Sequence, residues 1–307
     1  MRAVAAAGSL FTAFSLTACG GGGGTVGSTP TPAPTPPAAQ TNPTLVNLQF
    51  SESFEGRGSI NRFTLSGATG GVTNRPTTSN RAIQVRYDAP SGAYTISTGE
   101  LADITFAPAD KDTVNSNSAT TAYSKAAGTK TEDLILLNPG TTNPELALTY
   151  SSYGAWQSIT SNGTTADAST VFLVFGVKTQ QADLPVSGTA SYQTIIDGLF
   201  AGTGGLYVLN GSSSFSANFG AGTVSFSMSP TGIHILDGST KTFGSLSGTG
   251  TINAGAASFD ASAPASGGYS ASLLGKFYGP AAAEMGATFL LSGADGQGNG
   301  VIIGKKN

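Results

Sequence analysis

The chain has 307 residues and a net charge of −3, and only 10% of its residues are charged, compared with about 25% in typical soluble domains. Its 14 basic residues are scattered and form no stripe that would neutralise a phosphate backbone, so nucleic acid is not a predicted partner. One Cys and one His exclude a disulfide framework and a Cys/His zinc site, and no metal site is predicted. The 43 Gly, with many Ser, Thr and Ala residues, predict an all-β chain.

Residues 1–18 predict a lipoprotein signal peptide. Arg2 precedes an apolar stretch that is shorter than the ~20 residues needed to span a bilayer, and small residues lie directly before Cys19. This arrangement resembles the bacterial lipobox, which implies a diacylglyceryl thioether and an N-linked acyl chain, such as palmitate, on Cys19. Two or more acyl chains anchor a protein durably, where one does not. The residue directly after Cys19 is Gly20 and not Asp, which in lipobox proteins fits export to the outer membrane. The alternative interpretation is a buried, unmodified cysteine.

Residues 19–44 predict a tether. A run of glycines, Gly20 to Gly24, is followed by a segment rich in Pro and Thr that favours polyproline II. This composition contains no candidate core, so we expect a spacer that holds the folded part away from the membrane.

Residues 45–182 predict a β-rich handle domain, because short apolar alternations are broken every 8 to 12 residues by Gly, Asn, Pro or Ser. Ile83, Val85 and Tyr87, for example, share one face of a predicted strand. The polar stretch from Ala107 to Lys130 is interpreted as a long surface loop, and loops of this length are often functional or disordered. Its candidate ligand-binding residues are Asp110, Lys111, Asp112, Tyr123 and Lys125. A second candidate loop runs from Gly198 to Gly205.

Residues 183–307 predict a soluble, eight-stranded, up-and-down β-barrel. Phe215, Ala217 and Phe219 line one strand face, and residues 220–222 form a turn to a second alternating strand. About eight such strands follow Gly188, and closing them into a barrel removes exposed edges; a β-sandwich is the alternative. Strands of five to eight residues would be shorter than the ~9–11 needed to cross a membrane. Six phenylalanines favour a filled interior over a ligand pocket.

The C-terminal residues carry a family resemblance. Residues 274–289 read LGKFYGPAAAEMGATF, and the chain closes with Gly304, Lys305 and Lys306. These motifs resemble the closing strands of the transferrin-binding protein B-like surface lipoproteins, although Ala287 stands where that family usually has Gly. Residues 184–192 resemble the opening barrel strand of the same family, and residues 147–156 resemble the strand that leads into it.

The resemblance implies a β handle followed by an eight-stranded barrel, displayed at the cell surface by an outer-membrane translocator. Full-size members have two such lobes, and this chain has room for one. The resemblance therefore implies a lipid-anchored outer-membrane surface protein that captures a protein or haem ligand, from a host or the environment, for iron or haem acquisition. The alternative is a non-catalytic scaffold lipoprotein that faces the periplasm.

The remaining polar residues predict no enzyme. His234 would need a fifth-position geometry and an apolar slot to ligate haem, or a positioned serine and an oxyanion hole to act as a base. A strand-end histidine that is satisfied by backbone groups is the preferred interpretation. Haem is thus considered only as a ligand, and no cofactor is predicted. Trp156 is interpreted as packing between handle and barrel, with an exposed hot spot as the alternative. Lys276 and Glu284 are expected to have structural roles.

Overall fold

The computed structural model describes residues 40–307, which form two antiparallel β-sheets. The predicted signal peptide, Cys19 and most of the tether lie outside the described residues. Within residues 40–307, the helices are short 3₁₀ segments at Pro108–Asp110, Gln181–Asp183, Ala254–Ala256 and Pro280–Ala282. No helix in that range has the length and apolar character required to cross a membrane.

The first sheet forms the handle and has nine strands in the order β4-β3-β2-β1-β9-β8-β7-β6-β5. Its strands are β1 (Glu52–Ser66), β2 (Thr77–Asp88), β3 (Ala93–Ser97), β4 (Ile104–Phe106), β5 (Lys111–Asp112), β6 (Thr120–Ala127), β7 (Lys130–Leu137), β8 (Ser151–Ser161) and β9 (Thr165–Gly176). Strand β1 pairs with β9 in the centre, so the two halves of the handle sequence meet there.

The handle sheet curls until its edges meet. Lys125 Nζ donates a hydrogen bond to the Thr105 carbonyl, and the rings of Phe106 and Tyr123 lie 6.0 Å apart. The enclosed space is filled by aliphatic and aromatic side chains that alternate along the strands. Trp156 is one of them, 2% exposed, and its indole N–H donates to Glu132 Oε2 at 2.7 Å. Trp156 is therefore a core residue, but it lies inside the handle, and its expected position between handle and barrel is wrong.

The prediction of a surface loop from Ala107 to Lys130 is also wrong. This segment contains a 3₁₀ turn, β5, and β6, which pairs along its whole length with β7. Its Thr, Ser and Lys residues lie on a strand near the sheet edge, where one face is solvated, so the apolar alternation is weak. Tyr123 is only 9% exposed and belongs to the handle core. Deleting the segment would remove a paired strand together with part of that core.

The second sheet is a closed barrel. Its strands are β10 (Thr189–Gly202), β11 (Gly205–Asn218), β12 (Thr223–His234), β13 (Thr240–Thr242), β14 (Leu246–Asn253), β15 (Ser258–Ser266), β16 (Tyr269–Tyr278), β17 (Glu284–Gly293) and β18 (Gly296–Lys306). Eight of them close a ring through the β10–β18 and β11–β12 pairs, and the short β13 adds to the side of β12. The prediction of an all-β protein with an eight-stranded up-and-down barrel is confirmed.

The barrel interior is filled by aromatic side chains. Phe215, Phe259 and Phe277 lie with ring centroids 4.7–6.5 Å apart, and each is at most 2% exposed. Gly275 makes room for them, because a Cβ at this position would lie 2.2 Å from the Phe259 ring. Interior positions of small barrels commonly combine large and small residues in this way.

The barrel strands are longer than predicted. The eight strands of the closed ring contain 8 to 14 residues, because strands continue through Gly and Ser positions that the sequence pattern marks as breaks. The predicted turn at residues 220–222 is confirmed between β11 and β12. Along β11 the buried residues Phe215 and Ala217 alternate with exposed Ser214 and Ser216, so the apolar side chains point inward.

Handle and barrel share a third apolar core, formed where the outer faces of their sheets meet. The residues in this shared layer come from both sheets and include Phe63, Tyr153, Phe172, Val174, Leu199, Ala201, Leu206, Val301 and Ile303. Asn299 crosses the layer and donates to the carbonyls of Ser59 and Thr170 at 2.9 and 3.0 Å. Lys276, 8% exposed, also joins the two sheets through an ion pair with Glu55 at 3.0 Å.

Glu284 ties the barrel to the start of β8. Its carboxylate is 2% exposed and accepts hydrogen bonds from the backbone N–H groups of Thr149, Tyr150 and Ser151 at 2.6, 3.0 and 2.8 Å. The Ser151 hydroxyl donates a fourth at 2.7 Å. Burial raises the pKa of Glu284, and the four hydrogen bonds to the carboxylate oppose that rise. Glu284 and Lys276 therefore occupy structural positions, as expected.

Candidate ligand-binding end

Several chain turns from both sheets meet at one end of residues 40–307, which we call the tip end. It is formed by residues 67–76 between β1 and β2, 203–204 between β10 and β11, 235–239 after β12, and 294–295 between β17 and β18. The opposite end, the base end, contains residues 42–51 and 279–283. Loops on a rigid β scaffold are common binding surfaces, and the tip end combines charge, a cleft and exposed apolar groups.

Lys241 is the central charged residue of the tip end. Its Nζ donates to Asp295 Oδ2 at 2.7 Å and lies 5.7–5.9 Å from the ring centroids of Phe200, Tyr207, Phe243 and Tyr269. Such distances are typical of cation–π contacts. Burial lowers the pKa of Lys241, but its contacts with Asp295 and Tyr269 outweigh that effect and raise it overall. The lysine therefore remains charged at neutral pH.

A cleft lies beside this cluster, between the handle loop and the barrel turns. It has a volume of about 240 Å³ and is lined by residues 72–76 of the handle and by Gly202, Thr203 and residues 294–296 of the barrel. Arg75 closes one side by donating to the carbonyls of Ala294 and Gly293 at 3.2 and 3.4 Å. The cleft thus has mixed polar and apolar walls and an arginine at its margin.

The rim of the tip end carries exposed apolar side chains. Ile235 is 47% exposed and Leu236 is 60% exposed, although both lie next to a tight turn. Leu236 reaches the handle loop of residues 67–76. A Cβ added at Gly70 in that loop would lie 3.3 Å from Leu236 Cδ1. Exposed apolar groups of this kind, surrounded by polar residues, are typical of protein or ligand contact sites.

His234 ends strand β12 at the tip end, and its Nδ1 has a hydrogen-bond partner. Nδ1 lies 2.7 Å from Asp237 Oδ1, and the ring packs at an angle of 42° against Tyr207, with centroids 5.1 Å apart. Nε2 faces the backbone of Gly205 so closely that a Cβ there would lie 2.4 Å away. The strand-end position of His234 is confirmed. The hydrogen bonds of Ser239 and His234 lower the pKa of Asp237 to about 2.

The two predicted loop candidates lie in different parts of the molecule. The turn at residues 203–204 is at the tip end, although Gly198 to Gly202 belongs to β10. The five candidates of the other segment lie in and around β5 and β6. Asp112 holds a turn by accepting the side-chain amide and the backbone N–H of Asn115 and the backbone N–H of Val114, and those hydrogen bonds lower its pKa. The structure does not bring these five residues together with the tip end.

The tip-end cluster of Lys241, Tyr269 and Asp295 was not predicted from sequence. These residues lie on three separate strands or turns of the barrel, and only the closed ring brings them together. The only sequence signal for this cluster is a lysine two residues before Phe243, in a chain with few charged residues. Among the described residues, no group of three or more His, Cys, Asp or Glu side chains is placed to hold a metal ion.

Known proteins resemble this chain most clearly over its C-terminal half. A model of the C-lobe and N-lobe β-barrels of Tf-binding protein B matches residues 149–306, slightly more than half of the chain. The comparison with curated proteins found no match.

Solved structures of similar proteins cover most of this chain at low identity. The N-lobe of lactoferrin binding protein B from Moraxella bovis is 15% identical, with 82% of this chain and 99% of that chain covered and a TM-score of 0.38. A variant of transferrin binding protein B from Haemophilus parasuis is 14% identical, with 83% and 76% covered and a TM-score of 0.40. The Neisseria meningitidis protein is 10% identical, with 84% and 77% covered and a TM-score of 0.33. Because these scores are low, the assignment rests on the family model: the chain belongs to the family of transferrin-binding protein B β-barrel lobes.

Proposed function

We propose that this protein is a lipid-anchored outer-membrane surface protein that binds a host or environmental ligand for iron or haem acquisition. Cys19 carries the lipid in this proposal, and a dedicated outer-membrane translocator delivers the protein to the surface. No catalytic residue or cofactor takes part. Membership of the family supports the proposal, because its solved relatives are named for binding transferrin and lactoferrin.

The tip end is the proposed ligand-binding surface, and the exposed Ile235 and Leu236 are the observation that carries this choice. The position of the tether supports it. Asn42 donates its backbone N–H to Glu52 at the base end, and β1 then runs through 15 residues before it reaches the tip end. That length corresponds to about 45 Å. A lipid at Cys19 would join the folded part at the base end, so the tip end would be free to meet a ligand.

Surface display is tested by protease accessibility on intact cells. We expect digestion of the folded region without opening the outer membrane, and loss of membrane association in the Cys19→Ala variant. A control with opened outer membranes establishes that the protease cuts the folded region at all. Protection on intact cells, with digestion only after opening, would refute surface display and leave the periplasmic scaffold as the better explanation.

Ligand binding is tested with the full-length chain purified in detergent, using transferrin, lactoferrin and haem as separate probes. We expect one of them to bind and the Ile235→Ser/Leu236→Ser double variant to weaken that binding at least 10-fold, because two apolar contacts are lost. Val186→Ser is the matched control, since Val186 is 90% exposed but lies near the base end. Equal binding by wild type, the double variant and the control would refute the tip end as the binding surface.

A further inference from the structure

A second cleft lies on the side of the molecule, between the outer face of the handle and the outer face of the barrel. It has a volume of about 330 Å³, within the range of small-molecule sites. Strands β7, β8 and β9 form one wall, and strands β10 and β11 form the other. Phe172 and Leu199 lie at its buried side, and Ile135 and Val208, which are 46% and 45% exposed, lie at its mouth.

Asp197 is the titratable group in this cleft. Its Oδ2 accepts a hydrogen bond from the Tyr153 hydroxyl at 3.1 Å, which fixes the carboxylate against the shared layer of handle and barrel. Burial raises the pKa of Asp197 to about 6, and the hydrogen bonds of Tyr153 and Gly198 only partly oppose that rise. The carboxylate is therefore ionised at neutral pH in surroundings that do not compensate its charge.

The cleft offers polar acceptors and no positive charge. The described residues that line it include Asp133 and Asp197 but no lysine, arginine or histidine. Thr170, another lining residue, is 4% exposed, and its Oγ1 has no hydrogen-bond partner among the described residues. Buried polar atoms usually have a partner, so Thr170 Oγ1 and Asp197 together point to a ligand that carries hydrogen-bond donors and a positive charge.

We propose that this cleft binds a small organic cation, namely a primary ammonium group on an apolar alkyl or aryl body. The ammonium group contacts Asp197 and donates to Thr170 Oγ1, and the apolar body lies between Ile135, Phe172 and Val208. An ammonium ion has three donors and no acceptor, which matches this set of groups. The site is separate from the tip end, so this proposal does not depend on the proposed function.

The test uses isothermal titration calorimetry of the full-length chain in detergent at pH 7.5, with 4-phenylbutylamine as the probe. The neutral 4-phenylbutanol and the anionic 4-phenylbutyrate are matched in their apolar body. We expect saturable binding of the amine, with the alcohol at least 10-fold weaker and no measurable binding of the carboxylate. A charged hydrogen bond of this kind corresponds to about 10- to 100-fold in affinity.

Three variants complete the test. Asp197→Asn keeps the size of the side chain and is expected to reduce amine affinity at least 10-fold, while Asp260→Asn, an exposed aspartate on β15, leaves it unchanged. Val208→Lys places a positive charge at the mouth and is expected to abolish binding without disturbing the core. Equal affinity for the amine and the alcohol, or equal amine affinity in wild type and Asp197→Asn, would overturn the proposal. Absence of saturable amine binding would also overturn it.

Discussion

Replacing Glu284 by alanine removes the acceptor for four donors at once. The backbone N–H groups of Thr149, Tyr150 and Ser151 and the Ser151 hydroxyl all end on this carboxylate within 3.0 Å. A buried donor left unsatisfied costs about 1–3 kcal/mol, and water that enters the vacated space relieves part of that cost. We therefore expect Glu284→Ala to lower the free energy of unfolding by about 3–5 kcal/mol, a large share of the roughly 5–15 kcal/mol typical of folded domains.

Urea unfolding and amide hydrogen exchange measure the two parts of this expectation. The midpoint falls in Glu284→Ala, and the amides of Thr149, Tyr150 and Ser151 lose protection more than those elsewhere in β8. Glu145→Ala is the control, because Glu145 is an exposed glutamate only a few residues before the same strand. A loss below about 1 kcal/mol with the three amides still protected would show that Glu284 does not hold the start of β8.

Three further predictions concern the pH dependence, the barrel core and cooperativity. Because burial raises the pKa of Asp197 from 3.8 to about 6, the folded state binds this proton more tightly than the unfolded state, and stability falls as pH rises from about 4 to 6. Asp197→Asn should remove that dependence and increase the free energy of unfolding above pH 6 by up to about 3 kcal/mol, measured by thermal unfolding; an unchanged pH profile would contradict this. Gly275→Ala should lower the free energy of unfolding by about 1–3 kcal/mol, because the added methyl group overpacks against Phe259. The control Gly255→Ala, at an exposed position, should leave it nearly unchanged, and equal urea midpoints for the two variants would contradict the packing argument. Trp156, the only tryptophan, lies in the handle, so its fluorescence reports on the handle, whereas far-UV circular dichroism reports on both sheets. We expect the two signals to change at the same midpoint because the sheets unfold together; separate midpoints would contradict this.

Local sequence patterns predict most of the barrel. The alternation through Phe215 and Ala217 and the turn at residues 220–222 depend only on neighbouring residues, which is why the sequence alone indicates them. The closing motif around Glu284 is also recognisable, although its four hydrogen bonds to residues 149–151 are not. Those bonds join positions more than 130 residues apart, and no local pattern encodes such a distance.

The structure of the handle edge and the positions of both clefts cannot be predicted from local sequence patterns. Strand β6 has a solvated face and few apolar residues, so its pairing with β7 determines its structure more than its own composition does. The side cleft requires Asp197 of the barrel and Thr170 of the handle to line the same space, and the tip end requires turns from both sheets to meet. Each depends on how the outer faces of the two sheets pack, and the alternation of apolar and polar residues along one strand does not specify that packing.

Strand β18 has a consequence for the order of folding. It pairs with β10 and β17, and its Val301 and Ile303 fill the layer shared with the handle. The ring therefore cannot close, and the shared layer cannot form, before Gly296–Lys306 is available. Contacts between such distant segments are slow to form. Until this last strand arrives, β10 and β17 present open edges, which is the period in which the chain is most exposed to aggregation and most dependent on being kept apart from other chains.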